Sequence, residues 1–179
     1  ADLIPALKAG KIDIIMSGMS VTPERQQQVS FTQPYLDAGQ MAILHRDKVA
    51  RFAQRWAIYA EGVRVGVEGG SEGAAFAERE LAEAEIVFFD SPAAAFQGLR
   101  NEQIDLFVHD APTSWQLATA KGSDDLISLY APLTDEKLAW AVRKGDTALA
   151  ERLDSALRTL KSNGTLRYIL NRWIPVSVQ

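Results

Sequence analysis

The sequence of 179 residues has no cysteine and only two histidines, His45 and His109. The first absence excludes disulfides and thiolate metal sites, and is neutral about compartment. The two histidines are far apart in sequence and neither has a partner at zinc spacing, so no metal is expected. The 19 basic residues form no run and are outnumbered by 23 acidic ones, for a net charge of −4. A nucleic-acid partner is therefore not expected. No apolar stretch reaches the roughly 18 residues of a membrane span, and no secretory leader is visible. A chain of this length buries about 70% of its unfolded surface, enough for a core without covalent staples.

What the sequence does contain is concentrated in IDIIMSGMSVTPERQQQVSFTQPYLDAGQ, residues 12–40. A β-branched apolar run leads into the small residues Ser17, Gly18 and Ser20. Thr22 and Pro23 then make a helix start, because Thr caps free N–H groups and Pro tolerates the first helical position. Arg25 falls in that first turn. A cation there opposes the helix dipole unless an anion is near, so a carboxylate-binding role competes with a plain solvated charge. Ser17, Gly18 and Ser20 offer hydroxyls and backbone groups to a ligand, or simply form a tight turn.

Apolar periodicity and punctuation predict helices over 2–9, 23–29, 72–84, 92–101, 112–120, 146–162 and 166–172. Strands are expected over 12–16, 40–45, 63–67, 85–89, 104–108, 126–130 and 137–142. The alternation implies an α/β fold with a mainly parallel sheet. Trp115, Trp140 and Trp173 read as core residues. The opening DLIPALKAG reads as a helix already under way and stopped by Gly10, so an N-terminal piece is expected to be missing. LKAGKIDIIMSG (7–18) aligns without gaps on LRNEQIDLFVHD (99–110), as two helix–turn–strand segments. Equivalent units would place Ser17 and Gly18, and His109 and Asp110, at matching strand ends, where α/β sheets bind ligands.

The second segment carries further candidates. Gly69, Gly70 and Ser71 lie between a strand and a helix, where N–H groups face an anion or Ser71 caps the helix. GGSEG also fits the G-x-S-x-G nucleophile elbow. Only His109 is available as its base, with Asp90 or Asp105 as the acid, and too little chain follows for the usual hydrolase order. Asp110 either accepts a ligand ammonium or caps the helix that Pro112 helps start. His109 lines a pocket or is a satisfied surface histidine. Glu68 faces a polar ligand group or solvent.

LIPALKAGKIDIIMSGMSVTPERQQQVSFTQPY, VGVEGGSEG, IDLFVHDAP and LAWAVRKGD with LKSNGTLRYILNRW, in this order, resemble the periplasmic polar amino-acid-binding proteins of ABC transporters. These are the family 3 extracellular solute-binding proteins. The resemblance spans essentially the whole chain. It implies a two-lobed α/β clamp of the type II periplasmic-binding fold, with lobe 1 lacking its first strand–helix–strand unit. Lobe 1 would comprise residues 1–34 and 139–179, lobe 2 residues 40–133, and the hinges 35–39 and 134–138.

The resemblance implies no catalytic residue and no cofactor. Arg25 would grip the ligand α-carboxylate, with Ser71, Gly70 and the backbone of Glu72 opposite. Ser17, Gly18 and Ser20 would hold carboxylate and ammonium from lobe 1, and Asp110 the ammonium from lobe 2. His109 and Glu68 would face the ligand side chain. Glutamine-binding members carry a basic residue where this chain has Glu68, which shifts the expectation toward a ligand with a donor or cationic side chain. Glu72 is also larger than the residue usual there.

The implied partners are a free amino acid and an ABC transporter permease, in a periplasmic or extracellular location that is compatible with a membrane anchor. An incomplete lobe 1 would leave a strand edge open to self-association and weaken ligand binding. A ligand-sensing ectodomain of a membrane receptor is the alternative, and an enzyme, hydrolase or dehydratase, a more distant one.

Overall fold

The computed structural model describes residues 3–118, 120, 122–129 and 131–173, apart from the side chains of 117, 118 and 173. The chain divides into two compact units, one of residues 1–38 with 135–179 and one of residues 39–134.

The first unit begins with α1 (Leu3–Lys8), β1 (Ile14–Ile15), α2 (Pro23–Gln28), β2 (Val29–Phe31) and β3 (Leu36–Ala38). Thr22 caps α2 through its Oγ1, which accepts from Arg25 N at 3.3 Å, with Pro23 at the first position. The second unit follows with β4 (Gln40–His45), β5 (Arg64–Glu68), α3 (Glu72–Glu80), β6 (Glu85–Phe89), α4 (Pro92–Arg100), β7 (Leu106–Asp110), α5 (Ala111–Ala118) and β8 (Leu126–Ser128). The chain then returns to the first unit through β9 (Glu136–Leu138), β10 (Ala141–Arg143), α6 (Thr147–Ser162) and α7 (Thr165–Trp173). No described helix is long and apolar enough to cross a membrane.

In the first unit β10 lies between β1 and β2, antiparallel to both, and β3 pairs antiparallel with β9. Leu7, Ile15, Val29 and Ala141 form its core. The second unit is one sheet in the order β6-β5-β7-β4-β8. The alternation of its central strands sends side chains to two apolar layers. Ala42, Leu44, Val65, Val67, Leu106 and Val108 meet Phe76 and Ala77 of α3 on one face. Ile43 and Phe107 meet Phe96 and Leu99 of α4 on the other.

The mainly parallel sheet expected from the alternation is not observed. Among the described residues only β5–β6 and β5–β7 are parallel, and the other pairings are antiparallel. Element order does not encode chain direction, and β4 enters the sheet against β7 and β8.

Several strands also differ from their expected bounds. The strand expected over 12–16 shrinks to Ile14–Ile15 because Arg143 takes the Ile12 carbonyl and the Asp13 carboxylate, at 3.0 and 2.8 Å. The strand over 137–142 splits into β9 and β10. Between them Ala139 N donates to Met19 O and Trp140 N to Thr32 Oγ1. The strand over 104–108 starts later, since Ile104 N still bonds back to Gly98 O at 3.4 Å. Val29–Phe31, read as a helix end and a connection, is a strand. Trp115 and Trp140 are half-buried rather than core, Trp140 packing near the Tyr35 ring. The Trp173 side chain, Asp2, Tyr130 and residues 174–179 lie outside the described residues.

The internal repeat has a matching backbone. Leu7 and Leu99 are both buried helix ends. The aligned residues Gly10 and Glu102 both adopt positive φ, 71° and 55°. Lys11 N then reaches Ala6 O at 3.0 Å, and Gln103 N reaches Gly98 O at 2.8 Å, the long bond of a left-handed helix stop. Glycine takes this conformation without the Cβ clash that Glu102 bears. Glu102→Gly should therefore raise stability by about 0.5–1 kcal/mol, read by urea denaturation; a loss would show that the Glu102 side chain outweighs its backbone strain.

Asp105, 3% exposed, begins the β7 segment as an ionic hub. It accepts from Lys48 Nζ at 2.7 Å, Arg64 Nη2 at 3.0 Å and Arg64 N at 3.0 Å, with Arg51 Nη1 at 3.5 Å. Burial alone would raise its carboxyl, but the bonds from Arg64 and Lys48 outweigh this and hold it well below the usual carboxylate range. A depressed native value means its stabilisation is complete above the unfolded value and lost as pH falls below about 4. Asp105→Asn should cost about 3 kcal/mol at neutral pH. The deficit should shrink between pH 4 and pH 2 in a series of urea melts, and a constant deficit would show that the carboxylate charge is not its source.

Candidate functional site

In the first unit, the cap that starts α2 also aims Arg25. Its Nη1 donates to the Ser20 carbonyl at 3.0 Å, which holds the guanidinium over the turn that follows β1. That turn is itself fixed: Val21 N donates to Lys137 O and Ala139 N to Met19 O, at 2.9 and 3.2 Å. Ser20 is buried, and its Oγ donates to Glu136 Oε2 in a short hydrogen bond. A hydroxyl that donates its proton in this way presents only acceptor lone pairs to anything else. Ser17 and Gly18 are exposed in the same turn. Glu136, on the far side of the sequence from Ser20, was not among the expected site residues. No local motif marks it, and the pairing of residues 19–21 with residues 137–139 brings it there.

In the second unit, the expected anion cradle at Gly69–Ser71 is largely used by the protein itself. Gly69 N donates to Phe89 O and Ser71 N to Glu68 O, both at 3.2 Å. Gly70 lies exposed between them. The Ser71 hydroxyl caps α3 by accepting from Ala74 N at 3.1 Å, which leaves its own proton as a donor. Glu72 sits in the first turn of α3. A Cβ at Gly73 would lie 2.7 Å from Val108 O, so glycine is what lets this helix start sit directly against β7.

Glu68, His109 and Asp110 form one ionic row across the ends of β5 and β7. His109 Nε2 is 2.8 Å from Glu68 Oε2, and Nδ1 is 2.6 Å from Asp110 Oδ2. Asp110 also accepts from Thr113 N at 2.8 Å and Thr113 Oγ1 at 3.0 Å, so it caps α5 as well. Thr113 is a second residue the sequence did not single out, although Asp-x-x-Thr before a helix is a capping pattern. Burial works to lower the His109 value, but Asp110 and then Glu68 outweigh it and raise it above that of an ordinary histidine. Burial would likewise raise Asp110, but the imidazole and Thr113 hold its carboxyl down. Nε2 of His109 thus faces a carboxylate, Nδ1 faces both the Asp110 carboxylate and, at 2.9 Å, the Asp110 backbone N–H, and Ser71 Oγ is engaged as a cap. This differs from a serine nucleophile with its base, although the strand–turn–helix setting of the elbow is present. Among the described residues no group of acids and histidines has the geometry of a metal site.

The helix-flanked sheets, with a chain that leaves its first unit and returns to it, define a type II periplasmic-binding fold. The chain belongs to the bacterial extracellular solute-binding proteins, family 3, whose model matches residues 1–176. It is 35% identical over 179 residues to ABC transporter arginine-binding protein 1 of Escherichia coli (strain K12), covering 97% of this chain and 70% of that protein. It is 30% identical over 171 residues to the ABC transporter glutamine-binding protein GlnH of Bacillus subtilis (strain 168), covering 96% of this chain and 61% of that protein. Among solved structures, the ancestral amino acid-binding protein AncCDT-1, a precursor of cyclohexadienyl dehydratase, superposes with a TM-score of 0.86 at 33% identity. That match covers 97% of this chain and 73% of the ancestral protein.

If Ser71 acts as a cap, ligand-free Ser71→Ala protein should lose about 1 kcal/mol and Ser71→Gly only a few tenths. Denaturant melts of the three proteins decide this, and wild-type stability in the alanine variant would remove the cap.

Proposed function

We propose that this chain binds a free polar amino acid outside the cytoplasm and presents it to the permease of an ABC importer. The observation that carries this reading is a pair of opposite charges, each fixed by its own unit. Arg25 is held at a helix start by Ser20 O, and Asp110 is kept ionised by His109 and Thr113. An amino acid zwitterion presents the two complementary charges.

In this reading Arg25 grips the α-carboxylate, aided by the Ser71 hydroxyl proton and the first-turn amides of α3 near Gly70 and Glu72. Asp110 accepts the α-ammonium. Ser20, whose remaining capacity is as an acceptor, joins it together with the Gly18 and Ser17 backbone. This assigns Ser20 to the ammonium end and Ser71 to the carboxylate end. Residues 1–34 and 139–179 would act as one lobe and 40–133 as the other, with 35–39 and 134–138 as hinges. A ligand bonded to both lobes favours the closed state in proportion to its differential affinity.

Binding, not catalysis, fits the names of the relatives and the engagement of both His109 nitrogens. Glu68 and the arginine-binding relative support a cationic side chain, while the glutamine-binding relative keeps a neutral one in view.

A thermal-shift panel of the common amino acids tests this reading. At a thousandfold excess over the dissociation constant a ligand stabilises by about 4 kcal/mol. A polar amino acid should raise the melting temperature, and Arg25→Ala should abolish the rise. An undiminished shift in the variant would refute the carboxylate grip.

A further inference from the structure

Glu68 is the acidic one of the two side chains expected to face the ligand side chain, yet its Oε2 is 2.8 Å from His109 Nε2. Its charge toward a ligand therefore depends on the proton of that ring. With His109 protonated, Glu68 and His109 form a neutral pair, and Asp110 remains as the anion for the α-ammonium. With His109 neutral, Glu68 presents an uncompensated negative charge where the ligand side chain is to lie.

We propose that the Glu68–His109 pair is a proton-operated charge gate, accepting neutral polar side chains when closed and selecting cationic ones when His109 loses its proton. The inference rests on the amino-acid reading above and deepens it.

The surroundings leave the gate to these groups. From β5 the charged group on His109 is Glu68, and on its own strand it is Asp110. Opposite on β4 stand the uncharged Met41 and Gln40. α5 contributes the hydroxyls of Thr113 and Ser114, and α4 packs through apolar residues. α3 brings Gly73 against β7, with Glu72 in the same turn as the remaining acid. The Phe107 ring lies 5.4 Å from the imidazole and His109 is 8% exposed, while the Glu68 side chain is one-third exposed, so the ring is shielded and solvent screens the carboxylate in part. Glu68 and Asp110 both favour the protonated ring, so the gate opens above the ordinary histidine range rather than below it.

L-arginine and L-citrulline, nearly equal in shape and different in charge, are the probes. NMR titration of the His109 ring locates its transition, and calorimetry then measures both affinities on either side. The preference for arginine should grow about tenfold or more from the lower pH to the higher. Arginine binding near the transition should release a fraction of a proton, read from buffers of different ionisation enthalpy, and citrulline should release less. His109→Gln and Glu68→Gln should each flatten the pH dependence. A preference equal at both pH values overturns the gate, as does exclusion of citrulline at both. Because proton release is read on the wild-type protein, the test survives a variant that fails to fold. Binding of neither probe, nor of any amino acid, overturns the amino-acid reading and the gate with it.

Discussion

The second unit depends on the pairing of β7 between β5 and β4. This strand is buried on both faces, so its N–H and C=O groups must be met by neighbours, parallel on one side and antiparallel on the other. The alternation Leu106, Phe107, Val108 then divides the apolar contacts between the layers over α3 and α4. Where the apolar run ends the strand delivers His109 and Asp110, and the same pairing brings the end of β5 and Glu68 alongside. The ionic row is thus a consequence of register rather than of local sequence.

Carboxylates flank this strand at both ends in opposite settings. Asp105 is almost wholly buried, with cations from Lys48, Arg51 and Arg64 gathered on it. Removing it would leave those charges without their shared counter-ion, so its role is stability. Asp110 is more open, and its partners are a titratable ring and a helix start. A carboxylate with those partners stays ionised while its environment remains adjustable. Asp125 makes a third arrangement. Arg100 holds it by two bonds of 2.7 and 3.0 Å, pushing its carboxyl down to about 2. That pair is one-third exposed, so solvent screens much of its worth.

The first unit shows how a helix cap positions a cation. Thr22 and Pro23 start α2 by satisfying its orphan donors, and the third residue along is a cation that the helix dipole disfavours. Ser20 O compensates the guanidinium from one side. Ser20 Oγ is meanwhile committed to Glu136, so the turn's hydrogen-bonding polarity is set by a strand that arrives more than a hundred residues later.

The sequence by itself determined what is local. Thr22, Ser71 and Ser91 cap helices because side-chain oxygens beside a helix start meet N–H groups a few residues on. Gly10 and Glu102 stop helices at aligned positions because the same short motif recurs. Family membership was legible in the ordered motifs. Only the tertiary structure decided what depends on distant chain segments. Strand direction was misread because alternation of elements carries no sign. β1 was cut short by Arg143, a residue far along the chain. The amides of Gly69 and Ser71, open on paper, were taken by carbonyls of β6 and β5. Glu68 and His109, 41 positions apart, became hydrogen-bond partners through the register of β5 and β7. A charge or a cap acts over a few ångströms, and the sequence tells which groups are that close only when the chain between them is short.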